Sequence, residues 1–126
     1  MEMRSALNQA RGLGSSKEGV GHWWVQRLTG LALIPLTLWF VFSAINLTGA
    51  DLAEFSAWAG RHGNPVLLIL LIVVMYHHAQ AGVQVVIEDY VHSETAKVTC
   101  IILTKFAAVL FGGASVFAVL RLTFGG

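Results

Sequence analysis

Cysteine is nearly missing from this sequence. Cys100 is the only one, so no disulfide can form within the chain and no multi-cysteine zinc or iron–sulfur site can be built. It stands at the start of an apolar run and reads as a small buried hydrophobe. Charge is scarce as well. Charged residues make up 12% of the chain against 56% apolar, whereas a soluble domain carries about twice that charge. No basic stripe or aromatic–basic alternation is present, which removes nucleic acid as a partner. A Gly-rich dinucleotide fingerprint is absent, as are internal repeats and low-complexity tracts. The opening residues lack the order of a secretory signal: Arg4, Arg11 and Lys17 are mixed with Glu2 and Glu18, and no apolar stretch follows the basic start. The acids also speak against a mitochondrial presequence. Residues 1–21 are expected to form a polar tail, with Gly12, Gly14, Ser15 and Ser16 as a loop.

What is present is apolar length. A helix crosses the hydrocarbon layer with roughly 20 apolar residues. Three runs reach that length, at about 28–47, 65–87 and 98–120; the first two hold no charged residue and the third holds only Lys105. A chain of this size cannot hide so much apolar surface in a soluble core, and in lipid each run must be helical to satisfy its own backbone. Pro35 is a possible kink in the first span. Between the first two spans, Leu52, Phe55 and Trp58–Ala59 recur at helical spacing, which predicts a short amphipathic helix at the interface. The short polar connection 88–97 favours antiparallel neighbours. The fold class is an all-α membrane protein with three transmembrane helices, its anchor domain covering 22–126. Arg4, Arg11, Lys17, Arg27 and Lys97 gather on one side, against Arg61 and Arg121 on the other. Positive charge favours the cytoplasm, which places the amino terminus there and the carboxyl terminus in the periplasm. Trp23, Trp24 and Trp58 sit at span edges, where indoles prefer the headgroup region.

Polar side chains inside a span are costly and call for a role. Tyr76-His77-His78-Ala79-Gln80-Ala81-Gly82-Val83-Gln84 places two imidazoles and two amides within three turns. Adjacent side chains diverge by about 100° on a helix, so the histidines cannot share one ligand position. His78 is followed by Ala79, Ala81 and Gly82, which leave room for a flat macrocycle, and neutral imidazole is an axial ligand of haem iron. The competing reading is a buried histidine bonded to a neighbouring helix. Asp89 follows His78 by eleven residues, close to three turns, which puts both on one face about 16 Å apart. Tyr90 beside it can donate to a quinone carbonyl, or can be an ordinary interfacial tyrosine at a solvated helix end. Arg27, preceded by His22, Trp23, Trp24 and Gln26, can pair with a carboxylate such as a haem propionate, or can snorkel to headgroups. The same two readings apply to Lys105. Arg121 is an interfacial anchor.

The string His78-Ala79-x-x-Gly82-x-Gln84-Val85, followed by Glu88-Asp89-Tyr90-Val91, resembles the second transmembrane helix of the succinate dehydrogenase hydrophobic membrane anchors of respiratory complex II. His22-Trp23-Trp24-Val25-Gln26-Arg27-Leu28-Thr29 is similar to the start of the first helix in the alphaproteobacterial form. The resemblance covers about 21–91; beyond that the third helix matches only as an apolar span. It implies that His78 is one axial ligand of haem b, with the second supplied by a separate cytochrome b anchor packed against this chain in a helical bundle. It implies that Tyr90, with Asp89, contacts ubiquinone. Arg27, and by a weaker correspondence His22, would lie near the haem propionates and the quinone pocket. The implied enzyme is succinate:ubiquinone oxidoreductase of the bacterial inner membrane. Its flavoprotein and iron–sulfur subunits oxidise succinate, and this multi-pass chain anchors them while contributing none of the dehydrogenation chemistry. Two other readings stand beside it: a fumarate reductase anchor, or a membrane scaffold without a cofactor.

Overall fold

The computed structural model describes residues 6–10 and 17–125. Expectations that rest on Glu2, Arg4, Arg11, Gly12, Gly14, Ser15 and Ser16 lie outside them, as do those on the side chains of Lys17 and Glu18. Five helices follow one another: α1 (Ala6–Ala10), α2 (Lys17–Asn46), α3 (Leu52–Ala59), α4 (Asn64–Tyr90) and α5 (Glu94–Phe124). Among the described residues there is no strand. The three long helices are each apolar enough to cross a membrane. Each outruns the run of apolar residues that announced it. α2 begins at Lys17, well before the first uncharged stretch, and continues unbroken through Pro35. Backbone hydrogen bonding carries a helix past the lipid boundary at little cost, because water satisfies polar side chains there.

Local chemistry sets the ends. Gly49, with φ of 85°, turns the chain out of α2, a conformation that costs glycine nothing. Asp51 then caps α3: its Oδ1 accepts from the Glu54 N–H at 2.8 Å, and Glu54 Oε2 accepts from the Asp51 N–H at 3.1 Å. This reciprocal capping box starts the expected amphipathic helix. α4 has Pro65 in its first turn, where no backbone donor is needed. Asn64 donates from Nδ2 to the Trp58 carbonyl at 2.7 Å, fastening the end of α3 to the start of α4. Only three residues separate α4 from α5, and Ser93 caps the latter by accepting from the Ala96 N–H.

α4 is the middle element. It packs on α2 along one side and on α5 along the other, while the backbones of α2 and α5 stay apart. The described spans therefore form a layer with two seams rather than a closed bundle. α3 closes one end of it. Ala59 is fully buried and clusters with Leu68 of α4 and Val119 of α5, with Trp39, Trp58 and Leu122 packed around them. The Trp39 and Trp58 rings stack with centroids 5.8 Å apart. At the other end no described residue plays that part, and the layer of described spans is open. Only five apolar side chains among the described residues are buried, whereas Phe106, Val109 and Leu110 on α5 are about 70% exposed. Surface of that kind has to meet lipid or another protein's helices.

The Ala59 wedge yields a stability prediction. Ala59→Leu inserts methylenes where no space exists, and overpacking of this kind costs about 1–3 kcal/mol. The thermal midpoint of the solubilised protein should fall, whereas Ala53→Leu on the exposed side of α3 should leave it unchanged.

Candidate functional site

The two adjacent histidines enter different seams. His78 faces α2, while His77 turns towards α5 and lines a groove of about 540 Å³ with Tyr76, Gln80, Lys105 and Gly112. The 100° divergence expected from helix geometry is thus realised as a split across the layer.

On the α2 side, one edge of the His78 imidazole is seated against the facing helix. Its Nδ1 lies 2.9 Å from the Thr29 hydroxyl. Its Cε1 approaches Gly30 so closely that a Cβ there would sit 3.3 Å away. The hydroxyl also lies 2.7 Å from the Val25 carbonyl and 3.2 Å from that of Gln26. A hydroxyl has one proton. A carbonyl oxygen at 2.7 Å can only accept, and without that proton the contact would set lone pair against lone pair. The Thr29 proton therefore goes to the helix carbonyl, and the Thr29 oxygen accepts from Nδ1–H of His78. This network fixes the tautomer. In that tautomer the lone pair is on Nε2, which makes no hydrogen bond to any described residue.

Beside this ring lies a groove of about 600 Å³, walled by Trp23, Gln26, Arg27, Gly30, Leu31 and Ile34 together with His78. That volume is typical of cofactor clefts. Arg27 is exposed at its rim, with the guanidinium carbon 5.2 Å from the Trp23 ring centroid. His22 is not a wall of the groove. It lies one turn before Gln26 on α2, and His22 Nε2 and Gln26 Oε1 are both buried with no hydrogen-bond partner. Gln26 uses its amide nitrogen to reach the His78 carbonyl at 3.4 Å. Buried polar atoms left unpaired cost free energy, which sets these two apart from the other polar side chains of α2.

The residues fit a porphyrin with acidic side arms. The His78 imidazole lines a groove whose other walls include Trp23, Leu31 and Ile34, with the Arg27 cation among them. Among the described residues no three His, Cys, Asp or Glu side chains converge. The room beside His78 differs in origin from what its own helix suggested. Ala81 is buried in helix packing and Gly82 is covered by the Gln26 amide. The bare surface next to the ring belongs to Gly30 of α2. Sequence reasoning missed Thr29 and Gly30, although Gln26, Thr29 and Gly30 fall at the i, i+3, i+4 spacing of one helix face.

Asp89 and Tyr90 occupy the last two positions of α4. Both are exposed, Tyr90 to 78%, and neither makes a hydrogen bond or ion pair with a described residue. They lie at the open end of the layer, about three turns beyond His78. This chain brings Arg27 and His78 into one groove but does not close a pocket around Asp89 and Tyr90. On α4, Gln80 donates to Gln84 at 3.2 Å and Gln84 to Glu88 at 2.8 Å. This ladder ties the two amides to their own helix.

Comparison with known proteins places the chain among membrane anchors. Residues 1–112 match the family described as succinate dehydrogenase/fumarate reductase transmembrane subunit. A Rickettsia bellii protein named succinate dehydrogenase hydrophobic membrane anchor subunit is 30% identical over 109 residues, 86% of this chain and 87% of the relative. A Paracoccus denitrificans protein of the same name is 30% identical over 120 residues, 92% of this chain and 89% of the relative. A Reclinomonas americana protein named succinate dehydrogenase membrane anchor subunit is 30% identical over 98 residues, 75% and 81% of the two chains. No solved structure matches.

Proposed function

The chain belongs to the succinate dehydrogenase/fumarate reductase transmembrane subunit family, and from that premise we propose that it anchors a succinate:ubiquinone oxidoreductase in the bacterial inner membrane and binds haem b through His78. The observation that carries the proposal is the free Nε2 of His78 beside a groove rimmed by Arg27. A cytochrome b anchor would supply a further ligand and cover the open face of the layer. Haem, when bound, supplies a one-electron redox centre between the two anchors. The chain's own residues orient and balance it. His78 gives its lone pair, Trp23, Leu31 and Ile34 exclude water, and Arg27 sets positive charge where propionates end.

The open end of the layer receives the quinone and the soluble head. Tyr90 donates a hydrogen bond to a ubiquinone carbonyl as negative charge gathers there on reduction, and Asp89 lies beside it to take part in proton delivery. The other walls of that pocket come from the cytochrome b and iron–sulfur subunits. The flavoprotein and iron–sulfur subunits dock at the same end, which is the cytoplasmic one by the distribution of Arg27 and Lys97 against Arg61 and Arg121. The names of the relatives favour succinate oxidation over fumarate reduction.

The experiment is gentle solubilisation with an affinity tag on this chain. Flavin, iron–sulfur and second-anchor polypeptides should co-purify, with a b-type reduced-minus-oxidised spectrum. Isolation of the chain with a haem-free assembly overturns the haem assignment. Gly30 offers a finer check. Its added Cβ in Gly30→Ala must displace the His78 ring by a few tenths of an ångström, since 3.3 Å to Cε1 is tighter than ordinary contact. Haem should be retained less firmly, seen as faster loss to a haem-scavenging protein, while Gly113→Ala in open space changes nothing.

A further inference from the structure

We infer that Thr29 is a positioning residue for the haem ligand, holding His78 in one tautomer and one ring orientation and strengthening it as an electron donor. The inference rests on the reading of His78 as an axial ligand. Its support is the geometry of one hydroxyl that bridges two helices. Thr29 gives its proton to the carbonyl of Val25 at 2.7 Å and receives the Nδ1 proton of His78 at 2.9 Å. A hydroxyl that is already donating is a better acceptor, because chained hydrogen bonds polarise one another. The bond draws positive charge from Nδ1–H and raises the electron density at Nε2. Partners of the ring N–H opposite the metal fix the tautomer and raise ligand basicity in this way. The carboxylate that often serves there would add a buried charge in the membrane; a back-bonded threonine gives a weaker pull with no charge.

Gly30 supplies the second restraint. With Nδ1 bonded to Thr29 and Cε1 against the bare Gly30 backbone, the ring cannot flip without losing the bond and striking α2. Valine in place of threonine keeps the shape and removes both the acceptor and the donor. Serine keeps the hydroxyl. A stronger donor ligand stabilises ferric over ferrous iron, so losing the Thr29 bond should make the haem easier to reduce.

The test is spectroelectrochemical titration of haem b in the intact complex. Thr29→Val should retain haem and raise its midpoint potential, and Thr29→Ser should return it to the wild-type value. Equal potentials in wild type and Thr29→Val, at full haem content, would overturn the role of Thr29 while leaving His78 as the ligand. A wild-type complex without b-type haem would overturn both. Should Thr29→Val fail to assemble, redox-difference infrared spectra of the wild-type complex carrying ring-labelled histidine decide the matter. An axial imidazole band of a hydrogen-bonded Nδ1–H supports the inference, and that of a free Nδ1–H contradicts it.

Discussion

His78→Ala is expected to abolish the b-type absorbance of the complex, while His77→Ala leaves it in place. The contrast follows from the two seams. His77 lines the groove on the α5 side with Lys105, and no rotamer carries it through its own helix to the Arg27 groove. The alanine at position 78 leaves Arg27, Trp23 and the apolar walls intact, yet none of these is an iron ligand. The helix pair itself should survive. The change removes one inter-helix bond, from Nδ1 to Thr29, worth about 0.5–1.5 kcal/mol net. The Gln26 contact to the residue 78 carbonyl is a backbone interaction and persists. Loss of haem with co-purification of the partner polypeptides preserved is the expected result. A full b-type spectrum in His78→Ala assigns the ligand elsewhere.

The second large effect belongs to Tyr90. Its side chain is 78% exposed in this chain, and Tyr90→Phe removes only a hydroxyl from a surface position, so neither folding nor assembly should change. If the phenol donates to the quinone oxygen as it gains charge, the lost bond is of the charge-assisted kind, worth about 1.5–3 kcal/mol. At about 1.36 kcal/mol per tenfold in rate, ubiquinone reduction should slow by about ten- to a hundredfold. Succinate oxidation by an artificial dye that takes electrons from the soluble subunits should be untouched. Equal decline of both activities would show damage to assembly instead. Retention of both would remove Tyr90 from the quinone site.

Much of this arrangement is legible in the residues, and the reasons are physical. Lipid demands uncharged length, so three spans and their antiparallel path follow from where charge is missing. The short α3 helix is visible as Leu52, Phe55 and Trp58, and its start as the Asp51–Glu54 pair that forms the capping box. The start of α2 at Lys17 is not visible, because Lys17, Glu18, Gly19 and Gly21 interrupt the apolar pattern while the backbone continues as helix. The choice of His78 over His77 rests on rotation per residue, which sequence supplies. The partner of that ring is different. Thr29 is 49 positions away and acts through α2–α4 packing, which no local pattern encodes. Gly30 likewise gains meaning only once an imidazole lies against it. Asp89 and Tyr90 are readable as a polar pair at a helix end. A pocket around them is not, because the described residues of this chain do not close one there.

The layered form also suits a subunit that works with partners. α3 seals one end around Ala59, whereas the end that holds Arg27, Asp89 and Tyr90 is open. Exposed Phe106, Val109 and Leu110 suit acyl chains. A free imidazole nitrogen does not, since unpaired polar groups in hydrocarbon cost several kcal/mol each. On the proposed function, the α2–α4 seam is the face that a second anchor and a cofactor would cover.

The most direct measurement is a density map of the intact complex at a resolution that separates the haem plane from side chains. The account predicts iron within bonding distance of His78 Nε2, Thr29 still on Nδ1, and propionate oxygens near Arg27. Acyl-chain density against the His78 side of α4, with any porphyrin held by other residues, would contradict it.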